Sequence, residues 1–169
     1  MNDPTPAVEP RSEPGDGIRS REPLIKVSAL REGTVIDHLV AGTALKVLDI
    51  LGIVFEGAVM IGLNLDSSKV GRKDIIKIER REVTPHEVAK IALVSPRASF
   101  SIIRDFKVVE KFTPSLPRLV EDMIRCPNPS CISRQDRVRT KFVVIRSDPL
   151  RVRCYYCERS QRKEEIELL

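Results

Sequence analysis

The chain has 169 residues, enough for one ordinary domain or two small ones, with 41% hydrophobic and 31% charged residues and a net charge of +5. No stretch reaches the roughly 18 uninterrupted apolar residues of a membrane span; the most apolar run, Leu39 to Phe55, is broken by Lys46 and Asp49. The charge balance suits an anionic partner: nucleic acid, a phosphorylated metabolite or an acidic protein face.

Five of the twelve prolines fall in residues 1–23, among Asp, Glu, Ser and Gly, with almost nothing apolar to bury, so this segment reads as a disordered tail. It has no apolar core of a secretory signal, and a cytoplasmic location is expected. From Leu24 the stretch VSALREGTVIDHLV reads as extended. TALKVLDILG follows as a short helix, with Thr43 as N-cap, Leu45, Leu48 and Ile50 or Leu51 as its buried stripe, and Gly52 closing it. AVMIGLNL and RKDIIKIE, separated by the turn residues DSSKVG, read as a hairpin. TPHEVAKIALVS carries the strongest helix signal: Thr84 and Glu87 have capping-box spacing, Pro85 suits the first helical position, and Val88, Ile91 and Ala92 share a face. Two short strands follow near ASFSII and FKVVEK. The order β-α-β-β-α-β plus one strand predicts an α+β, ferredoxin-like sandwich. The paired prolines of TPSLPRLV, Pro114 and Pro117, read as a hinge. This divides the chain into the tail, a first domain at 24–113 and a second at 114–169.

All four cysteines lie in the second domain, as CPNPSC (Cys126, Cys131) and CYYC (Cys154, Cys157). Zinc needs four ligands in a tetrahedron, and two short-spaced thiol pairs on tight turns supply them. Between the pairs, RTKFVVIR and LRVRC read as two antiparallel strands, a zinc-ribbon-like hairpin. Four merely buried thiols are the plain alternative. Against it, about 55 residues build little core of their own and call for a staple. Four thiolates leave no position for water, so one structural zinc is expected. Seven Lys or Arg against two Asp between Arg134 and Arg153 also allow a nucleic-acid-binding ribbon.

In the first domain Asp37 and His38 stand side by side, Lys73 and Lys77 share one strand face across Ile75, and Lys111 closes the last strand. Lysines that converge, an Asp for a ribose hydroxyl and a His for phosphate would form a nucleotide pocket. There is no Walker loop, no G-x-G-x-x-G and no nucleophile beside a base, so no catalytic residue is expected.

GTVIDHL, IGLNL, GRKDIIKIE, PSLP, CPNPSCIS and CYYCE, in this order across about residues 25–160, resemble the regulatory chain of aspartate carbamoyltransferase. The resemblance implies a non-catalytic subunit that binds CTP, ATP or UTP in its first domain. Its zinc domain would grip the catalytic chain of the enzyme committing carbamoyl phosphate and aspartate to pyrimidine synthesis. It implies regulatory dimers bridging catalytic trimers, with no membrane and no nucleic acid as partner. Carried over by position, Asp37 and Lys77 match ribose-side contacts, His38 and Lys111 triphosphate contacts, and Lys73 a lysine of the same pocket. Val27, Ala29 and Leu30 match the segment lining the base, with Phe106, Val108 and the start of the last strand opposite, and Ser101 and Ile103 are further nucleotide-binding positions. Cys126, Cys131, Cys154 and Cys157 match the four zinc ligands. Ser28, Ser101 and Phe106 stand where the family pattern has Glu, Asn and Tyr, which leaves the preferred nucleotide open.

Overall fold

The computed structural model describes residues 29–52, 56–135 and 138–169. The expectations for the 1–23 tail and for Val27 lie outside the described residues. The first half runs β1 (Gly33–Val40), α1 (Ala44–Leu51), β2 (Val59–Ser67), β3 (Gly71–Glu79), α2 (Pro85–Val94), β4 (Ser99–Arg104) and β5 (Lys107–Phe112). The second half runs β6 (Leu119–Glu121), α3 (Ile132–Gln135), β7 (Lys141–Ser147), β8 (Leu150–Cys154) and β9 (Ser160–Arg162), followed by a 3-10 turn over Lys163–Glu165. No helix among the described residues is long and apolar enough to cross a membrane.

The first sheet has strand order β2-β3-β1-β4-β5, antiparallel throughout. This is the split β-α-β arrangement the element order predicts, with β5 added at one edge. Alternation decides which side chains face the helices. On β3, Asp74, Ile76 and Ile78 are buried while Lys73, Ile75, Lys77 and Glu79 are half-buried on the other face. One cross-strand row, Ile61, Ile76, Ile36, Phe100 and Phe112, pairs across all five strands. Its inner members pack under α1 and α2 with Val47, Leu51, Val88 and Ile91, and Phe100 stacks on Phe112 at 5.4 Å.

Both helices form where expected, but α1 is rotated relative to the expected stripe. Ala44, Val47 and Leu51 are its buried residues, Leu48 and Ile50 are only partly covered, and Leu45 is 62% exposed. Over eight residues two apolar stripes fit the sequence equally well, and contact with the sheet selects one. The cap differs too. Thr43 Oγ1 donates back to Val40 O at 2.6 Å, and the buried Asp74 on β3 accepts from Gly42 N (2.8 Å) and Ala44 N (3.1 Å) in its place. Asp74 also accepts from Asn64 N at 2.8 Å, so one carboxylate ties α1, β3 and the irregularity in β2 together. Gly52 closes α1 at φ 76°, and α2 carries both halves of its capping box, with Pro85 in its first turn.

Residues 113–117 have no regular structure, after which a second sheet forms with order β6-β7-β8-β9. The two-strand hairpin expected there is its centre. At three residues each, β6 and β9 are too short to show a period in sequence. A second apolar cluster, with Phe142, Val120, Ile124 and Val152 at its centre, takes in Leu93 from α2, so the two sheets share packing. Two hydrogen bonds reinforce this seam: Lys46 Nζ to Ile166 O (3.5 Å) and Lys90 Nζ to Leu169 O (2.6 Å).

Candidate ligand face and metal centre

The face of the first sheet turned away from the helices carries a second row, Met60, Lys77, Val35, Ser101 and Lys111, one residue from each strand in register. Lys77 and Lys111 are three strand spacings apart, about 14 Å between backbones. At one end of the row lies a cavity of about 330 Å³ lined by Ala29, Leu30, Arg31, Ala58, Met60, Lys77, Glu79 and Phe106. It brings together four residues named from the sequence: Ala29, Leu30, Lys77 and Phe106. Phe106 sits in the β4–β5 turn at φ 61° and is 65% exposed.

Asp37 and His38 owe their placement to a β-bulge. His38 has φ 57°, and the pairing of β1 with β3 slips between Ile36 and Leu39. The extra residue re-aims both side chains toward Lys73 and Ser99. Lys73 Nζ lies 2.8 Å and 3.0 Å from the two carboxylate oxygens of Asp37. His38 N donates to Asp37 Oδ1 at 2.7 Å, and His38 Nδ1 lies 3.0 Å from Ser99 Oγ and 3.5 Å from Asp37 Oδ2. Burial raises the Asp37 carboxyl, but the hydrogen bond from Lys73, the His38 backbone N–H and the Lys73 charge outweigh it. The group is therefore held below the ordinary carboxylate range.

The other named residues are placed less uniformly. Lys111 is exposed and, among the described residues, pairs with no carboxylate. Val108 is 58% exposed on β5, whereas its partner Ile103 is 8% exposed and offers the open face little beyond main chain. Neither Ser101, Ile103, Val108 nor Lys111 lines the cavity. Sequence reasoning missed Ser99, Met60 and Glu79. Ser99 could have been found from its position two residues before Ser101 on the same strand face.

The four thiols converge within the second cluster. Cys126 follows the bridge made by Ile124, Cys131 precedes α3, Cys154 ends β8, and Cys157 lies in the turn before β9. The sulfurs lie within 4.8 Å of one another, with Cys126–Cys157 at 3.5 Å and Cys131–Cys154 at 3.8 Å, and none is in a disulfide. A tetrahedral ion with metal–sulfur bonds of about 2.3 Å requires sulfur–sulfur edges of about 3.8 Å. The donor set therefore fits zinc in chemistry and in size.

Burial pushes the Cys126 and Cys154 thiols up. Burial also acts to raise Cys157, but the Arg159 backbone N–H and the adjacent thiol of Cys126 outweigh it and bring it to about 7. Burial thus favours the protonated thiols of Cys126 and Cys154, so a divalent ion held by all four sulfurs must displace their protons, and metal binding is coupled to proton release. The loops are held by Asn128, whose Oδ1 accepts from Ser130 N at 3.1 Å and whose carbonyl accepts from Cys131 N at 3.1 Å. Two further neighbours went unnamed in the sequence. Ser133 Oγ lies 3.2 Å from Cys131 Sγ, and Arg134 donates to Cys126 O at 3.2 Å.

The model of the aspartate carbamoyltransferase regulatory chain, allosteric domain, matches residues 25–115, and that of the same chain's metal binding domain matches residues 118–167. The aspartate carbamoyltransferase regulatory chain of Pyrococcus abyssi is 53% identical over 145 residues, covering 84% of this chain and 95% of its own. That of Pyrococcus horikoshii is 51% identical over 147 residues, covering 85% and 97%. That of Methanothermobacter thermautotrophicus is 48% identical over 145 residues, covering 85% and 93%. These matches lend no support to the reading as a nucleic-acid-binding ribbon. With an allosteric and a metal-binding part in the family's order and the four thiols gathered in the second, the chain belongs to the aspartate carbamoyltransferase regulatory chain family.

Proposed function

We propose that this non-catalytic chain binds one nucleoside triphosphate along the open face of its first sheet and reports occupancy to the catalytic chain of aspartate carbamoyltransferase. The observation that carries this is the in-register row from Lys77 through Val35 and Ser101 to Lys111. Its length of about 14 Å suits an extended ligand with a polar base at one end and phosphates at the other. The base enters the cavity beside Ala29, Leu30 and Phe106, the ribose lies near Asp37 and Lys77, and the phosphates reach His38 and Lys111. Lys73, held by Asp37, sets the charge of that carboxylate and so the field around the phosphates.

Cys126, Cys131, Cys154 and Cys157 hold one zinc ion. With every position taken by sulfur, the ion supplies no Lewis acid to a substrate and serves folding. Residues 24–113 form the nucleotide domain and 114–169 the domain that meets the catalytic chain. Two such chains pair and bridge catalytic trimers in the cytoplasm, and CTP and ATP act by binding one quaternary state more tightly than the other. Each shifts the equilibrium by no more than its differential affinity. The test is reassembly of the purified chain with the catalytic trimer, followed by aspartate saturation curves with and without CTP and ATP. Curves identical in all three conditions would reject the proposal.

A further inference from the structure

At the seam between the two halves lies a different cavity, of about 290 Å³, which shares no residue with the open face. Its floor is the second sheet. Arg146 on β7 stands opposite Arg151 on β8, which stands opposite Arg162 on β9. Like charges directly across adjacent strands repel, and a sheet does not normally align three of them. All three are exposed, and none forms an ion pair with a described carboxylate; Arg146 spends its Nε on Pro149 O at 3.2 Å. Arg97, from the turn after α2, and Lys163 complete the wall, against only Asp148 and Glu164. Burial, together with the charges of Arg97 and Lys46, holds the Lys163 ammonium below its ordinary range, although Glu164 and Asp148 pull the other way.

Five cations facing two carboxylates in a concave site need a counter-charge of more than one unit. Guanidinium forks match the oxygens of phosphate bidentately, and a space of this size is at the small end of ligand pockets. We propose that this groove is a second anion site of the chain. It takes a small multivalent anion of the phosphate class, which bridges Arg97 of the first half to the arginine row of the second. Occupancy then ties the two halves together at a point removed from the nucleotide face.

The experiment is calorimetric titration of pyrophosphate into the full, zinc-loaded chain with CTP already saturating. Saturable binding near one per chain is expected, falling steeply with salt and weakened about tenfold by either Arg151→Gln or Arg162→Gln. Arg97→Gln should weaken it as well, which a site confined to the second sheet would not show. Unchanged zinc content and CTP affinity confirm that each variant is folded. Parallel titrations with a hexose monophosphate distinguish the two sources: tighter binding of pyrophosphate identifies a free inorganic anion, tighter binding of the ester a metabolite. Three results would overturn the proposal: displacement of pyrophosphate by CTP, parent affinity in both Arg151→Gln and Arg162→Gln, or loss of binding when the catalytic chain is added. The last would assign the arginine row to the subunit interface.

Discussion

Neutralising Lys111 separates the phosphate end of the open face from its base end. Lys111 is exposed on β5 and unpaired among the described residues, so Lys111→Ala removes a cation without stranding a carboxylate. A hydrogen bond to a charged group contributes about 1.5–3 kcal/mol, and the exposure of Lys111 favours the lower end, so binding should weaken about tenfold. The base cavity beside Lys77 is about 14 Å away, beyond the Debye length of about 8 Å at physiological salt, so base recognition is screened from the change. CTP and ATP should therefore weaken by the same factor, whereas Lys77→Ala should change the ratio between them. Lys111→Arg should recover most of the loss, because the charge and a donor are restored. Titration calorimetry of both nucleotides against the zinc-loaded chain measures each of these. Parent affinity in Lys111→Ala, or a loss for one nucleotide several times that for the other, would refute the placement of the triphosphate.

Removing Cys157 by Cys157→Ala, or zinc by chelation, should abolish metal content and unfold the second sheet, since structural zinc contributes on the order of 10 kcal/mol. Limited proteolysis would then digest residues beyond the 113–117 segment while β1–β5 persist; a protease-resistant metal-free second half would contradict this. Asp74→Asn keeps size but loses one of two acceptor oxygens, so either the N-terminus of α1 or Asn64 N loses its partner. A cost of about 2–4 kcal/mol in urea denaturation with unchanged zinc content is expected. Lys73→Met should raise the Asp37 titration measured by NMR, because the first partner lowering it is gone. The sign follows from the depressed folded value: the stabilisation from this pair is complete above the ordinary carboxylate value of 3.8 and is lost as pH falls through the lower folded one. In Lys73→Met that acid-side loss should begin at higher pH, and an unchanged acid denaturation midpoint would show the pair to be thermodynamically silent.

Features set by a few neighbouring residues were legible without coordinates. Thr84, Pro85 and Glu87 specify the start of α2 through bonds that span three residues. The alternation Lys73, Ile75, Lys77 against Asp74, Ile76, Ile78 specifies which face of β3 is buried, and the two cysteine spacings specify a four-thiol cluster. Other features depend on partners distant in the chain. Leu45 looked buried until the sheet chose the other stripe of α1, and Thr43 looked like a cap until Asp74, some thirty residues on, supplied the acceptor. The bulge at His38 shows only once β1 has slipped against β3, and Ser99 joins Asp37 only through the register of β4. The arginine row was present in sequence as three unrelated residues, 146, 151 and 162. Register across three strands made them neighbours, because strand pairing is decided by long-range burial and turn geometry rather than by any spacing along the chain.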